Sequence, residues 1–380
     1  MKNLPDSLAH MKSKGHTLIG CFPLYPPLEL LHSFGLTPVV LWGLRQDITH
    51  LTRSDRHLQS YTCGVARSLS EFVLSHGSES LDAMFMYNAC DTLRNLPEIL
   101  ESSLRRNGTP IPLFRLHIPA VPLSRPFASS YLKERIRDLI GELEKFTGKA
   151  FSGQAFLRST GLYKLKGRLS CDLERLAAAG RLGFADCSDI LLSAGRMTLD
   201  DQIATLERTI REANDRPPGQ PAVRVMLSGI LPPPGALLDA IEHAGLTVAA
   251  NDIAALRRSY GYLPAASADP GAYYEDFYRN HYPCTTILPS ADRRLETIRQ
   301  ILRENCVQGF IFVGEKFCEY EYFEIPAIKR MLEAESVRTL ELEIDMDDAL
   351  NIDAYRTRIE AFAEMLRQET RGSRREKDAF

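Results

Sequence analysis

The stretch LDAMFMYNACDTLRNL, residues 81–96, decides the fold. A short, continuous apolar run, as expected of a strand buried on both faces, passes into a helix that opens at Asp91 with Cys90 at its mouth. The same order recurs in VQGFIFVGEKFCEYEYF (307–323), where Cys318 follows the apolar run VQGFIFV. Cys63, in YTCGVARS, stands at the mouth of another helical stretch. In an open parallel α/β sheet, ligands collect where strand ends run into helix starts. Helix N-termini favour the thiolate, the form of cysteine that binds metal. Three thiolates from distant parts of a chain suit an iron–sulfur cluster that keeps one iron open, whereas a fourth would close it.

Working outward, strands alternate with helices in the first part of the chain. HTLIGCFP (16–23), TPVVLWG (37–43), LDAMFMY (81–87) and IPLFRLHIP (111–119) read as strands. Helices are expected over 24–34, opened by Pro26 and Pro27 and stopped by Gly35, over 59–75 with Gly77 as terminator, and over 91–103. From 131 to 214 there is no convincing strand, and SSYLKERIRDLIGELEKFTG (129–148) is an amphipathic helix. DRPPGQP (215–221) has linker composition. The alternation then resumes, with strands at 221–229, 246–252, 307–314 and 337–345 and helices at 236–245, 293–305, 326–335 and 354–369. The segment between 252 and 293, rich in Tyr and Pro, reads as irregular, and GSRREKDAF (372–380) as a solvated tail. Two similar α/β lobes with parallel sheets follow, 1–130 and 222–380, joined by a helical connector at 131–221. A cleft between such lobes is a natural ligand site.

Composition narrows the function. A net charge of −3 over 380 residues gives no reason to expect nucleic acid or an anionic membrane as the main partner. No apolar run approaches the length of a membrane span, and the N-terminus lacks a signal-peptide core, so a cytoplasmic location is expected. Eight cysteines without a CxxC pair argue against a disulfide scaffold, a zinc ribbon or a thioredoxin-type site. There is no GxGxxG fingerprint and no P-loop, so the chain is not expected to bind ATP itself.

Five blocks in order carry a resemblance: LIGCFPLYPPLELLHSFGLTPVVLWG (18–43), NACDTLRNL (88–96), VRVMLSGILPPPGALLDAIEHAGLTVAAND (223–252), VQGFIFVGEKFCEYEYFEIPAIKRMLE (307–333) and RTRIEAFAEML (356–366). Together they resemble the 2-hydroxyacyl-CoA dehydratase D-component family, which includes the cluster-binding subunits of benzoyl-CoA reductase. The resemblance implies an α/β fold of two Rossmann-like, flavodoxin-like lobes, with one [4Fe-4S] cluster held by Cys63, Cys90 and Cys318. It implies a lyase subunit that receives a low-potential electron from an ATP-hydrolysing iron–sulfur activator and forms a ketyl radical on a 2-hydroxyacyl-CoA thioester. The alternatives are an oxidoreductase subunit acting on an aryl-CoA, or a non-catalytic electron-relay subunit. The implied partner is a related second D-component subunit, as a heterodimer, or a second copy of the chain.

Other residues are candidates for substrate or cofactor contact. Arg67 and Arg94 lie one helical turn after Cys63 and Cys90, where each could balance cluster charge, bind an anionic group or form an ordinary salt bridge. Arg257 and Arg258 follow the strand end Asn251–Asp252, where coenzyme A phosphates or plain solvent are the alternatives. Tyr25 and the EYEYF segment are candidates for a substrate pocket or for core. Cys284 is expected near the site but not as a ligand; Cys21, Cys171, Cys187, Cys306 and Trp42 are expected to be packing residues. No carboxylate pair stands out as general acid and base.

Overall fold

The computed structural model describes residues 4–22, 25–41, 44, 47–220, 222–287, 291–345 and 352–377. Trp42 and residues 378–380 lie outside them. In chain order the elements are α1 (Leu4–Ser13), β1 (Leu18–Cys21), α2 (Leu28–Ser33), β2 (Thr37–Val40), α3 (Gly64–Ser80), β3 (Ala83–Tyr87), α4 (Asp91–Arg106) and β4 (Leu113–Leu116). Four helices follow, α5 (Pro126–Thr147), α6 (Gly153–Ala178), α7 (Phe184–Ala194) and α8 (Leu199–Asn214). The remainder comprises β5 (Val223–Gly229), α9 (Gly235–His243), β6 (Leu246–Ile253), α10 (Arg257–Tyr260), α11 (Pro270–Asn280), α12 (Ala291–Glu304), β7 (Gly309–Glu315), α13 (Glu319–Ala334), β8 (Arg338–Ile344) and α14 (Ile352–Lys377).

The strands form two four-stranded parallel sheets, ordered β2-β1-β3-β4 and β6-β5-β7-β8. Each sheet reverses its strand order beside its first strand, and ligands of open α/β sheets gather at such a switch point. Cys90 and Cys318 occupy equivalent places, each directly after the third strand of its sheet. β3 and β7 are buried along their whole length, which explains their unbroken apolar runs.

Helix α4 shows how local pattern becomes packing. Leu93, Leu96, Leu100 and Leu104 recur every three or four residues and are all buried. The four-helix segment adds its own face to the first sheet: Leu132, Ile136, Leu139 and Leu143 of α5 and Phe156 of α6 join the core of β1 and β3.

Several expected boundaries move. Gly35 closes α2 with φ +80, as its freedom at positive φ suggests. Gly77 does not stop α3, which runs on to Ser80, because the glycine is needed for space: a Cβ there would meet Ile111 Cδ1 at 2.9 Å. α13 begins at Glu319 rather than at Pro326, and the proline sits inside it. The stretch read as irregular contains α11, whose start is capped by Asp269 accepting from the amides of Gly271 and Ala272 at 2.8 and 3.2 Å. Cys306 is not a packing residue: it follows α12 with φ +49 and is exposed. α14 continues to Lys377, through most of the segment expected to be a solvated tail. No helix among the described residues is long and apolar enough to cross a membrane.

Candidate functional site

Cys63, Cys90 and Cys318 are the N-cap residues of α3, α4 and α13. All three are half-buried and pack against the core of the first sheet, so the second sheet delivers Cys318 across to the other two. None of the sulfurs closes a normal cap hydrogen bond. Backbone amides of the first helical turn nonetheless favour each thiolate: Ala66 and Val65 for Cys63, Leu93 and Thr92 for Cys90, and Glu321 for Cys318.

Burial outweighs those amides, contrary to the expectation that helix N-termini would lower the thiol pKa values. Desolvation pushes Cys63 up to about 12, with Glu315 and Cys90 adding to the rise. Desolvation also raises Cys90, and raises Cys318 well above the usual thiol range, with Cys63, Glu321 and Cys90 contributing to Cys318. The thiols are thus close enough to resist one another's ionisation. Among the described residues, no three His, Cys, Asp or Glu side chains converge on a single metal ion.

Behind Cys318 lies a buried charge network. Arg258 Nη1 donates to Glu321 Oε1 at 2.6 Å, and its Nε to Asp252 Oδ1 at 3.0 Å. Arg294 Nη2 donates to Asp252 Oδ2 at 2.7 Å and to Glu321 Oε2 at 3.3 Å, and its Nη1 to Glu324 Oε2 at 2.6 Å. Burial alone would raise the Glu321 carboxyl, but Arg258 and Arg294 hold it down at about 2. Glu321 is the third residue of α13, so the network fixes the turn that Cys318 opens.

The other candidates separate. Arg258 is neither a solvated arginine nor placed to meet a coenzyme A phosphate, because it is fully buried and its guanidinium is spent on carboxylates. Arg257 pairs with Glu174 at 3.0 Å. Arg67 grips Asp55 through Nε and Nη2 at 3.0 and 2.8 Å, so it makes the salt bridge rather than a free anion site. Arg94 is mostly exposed, meets Asp91 at 3.2 Å, and its charge favours the Cys90 thiolate. Tyr25 is buried at φ 57 with its hydroxyl beside Cys284, and its ring meets His281 edge-on at 3.8 Å between centroids. Cys284 is fully buried and accepts from Arg258 Nη1 at 3.5 Å. EYEYF opens α13.

Sequence reading missed the role of Glu321, and missed Arg294, buried Glu29 and half-buried Lys166. The acidic third residue of α13 was the available sign for Glu321, since acids favour a first helical turn. Nothing local marked Glu29, whose carboxylate accepts from the Tyr273 and Tyr274 hydroxyls, both at 3.0 Å, from more than 240 residues away.

Comparison with known proteins identifies the family. Residues 23–366 match the family described as 2-hydroxyglutaryl-CoA dehydratase, D-component. The chain is 26% identical over 365 residues to the (R)-phenyllactyl-CoA dehydratase beta subunit of Clostridium sporogenes, covering 94% of each chain. It is 25% identical over 368 residues to the beta subunit of (R)-2-hydroxyglutaryl-CoA dehydratase of Acidaminococcus fermentans, covering 94% of this chain and 95% of the relative. It is 23% identical to one of the subunits of benzoyl-CoA reductase of Thauera aromatica, covering 82% of this chain and 81% of the relative. With nearly its whole length matched, this chain belongs to the 2-hydroxyglutaryl-CoA dehydratase D-component family.

Proposed function

We propose that this chain is the iron–sulfur subunit of a 2-hydroxyacyl-CoA dehydratase-type enzyme, holding one [4Fe-4S] cluster through Cys63, Cys90 and Cys318. The observation that carries this reading is that three cysteines, each at a helix N-terminus and drawn from the two lobes, pack against one core. When bound, the cluster supplies an iron with an open position that acts as a Lewis acid, and an electron at low potential. The chain's own residues hold the ligands and limit water. The first-turn amides of α3, α4 and α13 offset part of the negative charge of the sulfurs. Arg258, Arg294 and Glu321 fix the start of α13. Buried Tyr87, whose hydroxyl meets Thr286 Oγ1 at 3.4 Å, lies within electrostatic range of both Cys90 and Cys284.

The dehydratase relatives bear the names of beta subunits, which supports a multi-subunit enzyme; the second, related chain and the separate ATP-hydrolysing electron donor are part of the proposal. The likeness to a benzoyl-CoA reductase subunit favours a second reading, reduction of an aryl-CoA. The first test is iron and acid-labile sulfide content, with electron paramagnetic resonance, on anaerobically purified protein and on Cys90→Ala. About four irons per chain, degraded in the variant, is expected; no iron after reconstitution overturns the reading. Turnover with partner, activator, ATP and reductant separates the two reactions. A dehydratase recycles its electron, whereas one electron pair consumed per product identifies the reductase.

A further inference from the structure

A cavity of about 80 Å³ lies between α2, α6, α7 and α10 and contains none of the three N-cap cysteines. Its walls are largely apolar, with Leu28, Leu191, Leu192, Ala255 and Phe277 among them. Two charges face it, Lys166 and Glu29, and they are not equivalent. Both Glu29 oxygens already accept tyrosine hydroxyls, Oε1 from Tyr273 and Oε2 from Tyr274. Lys166 is half-buried, and among the described residues no carboxylate lies within ion-pair distance of it. Its Nζ sits 5.9 Å from the centre of the Tyr163 ring, and Glu29 supports the ammonium only at longer range. Tyr163 lines the same wall, and among the described residues its hydroxyl donates to no protein acceptor.

A partly desolvated ammonium with unused donors, a neighbouring phenol with a free proton and apolar walls form a complement to one anionic head on a short hydrocarbon chain. We propose that this cavity binds a short-chain monocarboxylate, with its carboxylate on Lys166 and the Tyr163 hydroxyl and its alkyl end against the leucines. The volume sets the length. A dry cavity of about 150 Å³ accepts benzene, so this one suits an acid of about two to four carbons. A multiply charged phosphate fits poorly, because one ammonium cannot replace its hydration. The inference does not rest on the iron–sulfur reading.

The test is calorimetric titration of propionate into the full-length, anaerobically purified chain, with thermal melting to verify folding and iron content read on the same samples. One site per chain is expected. Lys166→Gln should weaken it at least about tenfold and Tyr163→Phe by less. Ala255→Val, which fills the cavity and leaves Lys166 in place, should also weaken it. Benzoate should bind at least about tenfold more weakly than propionate on grounds of size. Propionamide, with the same shape and no charge, should not bind, nor should a neutral propionyl thioester of N-acetylcysteamine. Absence of propionate binding by the folded wild-type chain overturns the proposal. So does equal binding by folded Lys166→Gln, or propionamide or the thioester binding as well as propionate, the last of which would mark an acyl pocket instead. Iron loss in any variant would bear on the cluster reading alone.

Discussion

Arg258 and Glu321 meet at 2.6 Å with neither side chain exposed, joining α10 to the first turn of the helix that Cys318 opens. The pair stands within a group that also holds Arg294, Asp252 and Glu324. Removing one member of such a group leaves a buried charge without its partner, so Arg258→Met should destabilise the chain by about 3–5 kcal/mol. The double variant Arg258→Met/Glu321→Leu should lose less than the sum of the two singles. Urea unfolding of the four proteins measures this, and strict additivity would show that the contact carries no coupling.

The same burial gives a signed pH dependence. Desolvation holds His281 down at about 3, against an ordinary 6.5. Between these values the unfolded chain binds a proton that the folded chain does not, so stability falls as pH drops below about 6.5. Glu321, held at about 2, acts in the same direction at lower pH, its contribution being lost as pH falls from its ordinary 4.5. His281→Leu should remove about 2 kcal/mol of the stability lost by the wild type between pH 6.5 and pH 4.5. Urea midpoints at the two pH values give the comparison, and an unchanged difference would refute it.

Gly229, at the end of β5, has φ +155, and a Cβ there would meet the Val313 carbonyl oxygen at 2.3 Å. The obstacle is backbone of the neighbouring strand β7, which cannot rotate away. Gly229→Ala should therefore destabilise by more than about 2 kcal/mol. Gly235→Ala is the control, since a Cβ there meets nothing within 4 Å. Equal melting temperatures for the two variants would count against this account.

Cys284 tests the division between ligand and neighbour. Its sulfur accepts from Arg258 and lies beside the Tyr25 hydroxyl. Cys284→Ala should retain about four irons per chain, whereas Cys63→Ala and Cys318→Ala should lose or degrade the cluster. Iron analysis with electron paramagnetic resonance decides it, and iron loss in Cys284→Ala equal to that in Cys63→Ala would make Cys284 a ligand.

The parts of the fold legible in the chain are those written in adjacent residues. The apolar run 83–87, the leucine spacing of α4 and the positive-φ glycine after α2 each act over a few positions, and each gave its element. Prolines misled where context overrode them: Pro326 reads as a helix start, yet packing of Ile325 and Ile328 carries α13 through it. The segment holding α11 reads as irregular because its face is aromatic, Tyr273, Tyr274, Phe277 and Tyr278, and those rings make sense only against Glu29 and Phe156.

The sequence by itself determined the alternation of strands and helices and the placing of a cysteine at three helix mouths, because periodicity and capping are local properties. Only the tertiary structure decided the ionisation of those cysteines, the burial of Arg258 that sequence left open to solvent or phosphate, and the isolation of Lys166 beside Glu29. Desolvation and Coulomb interaction depend on what stands within a few ångströms, and here those neighbours come from segments up to some 240 residues apart.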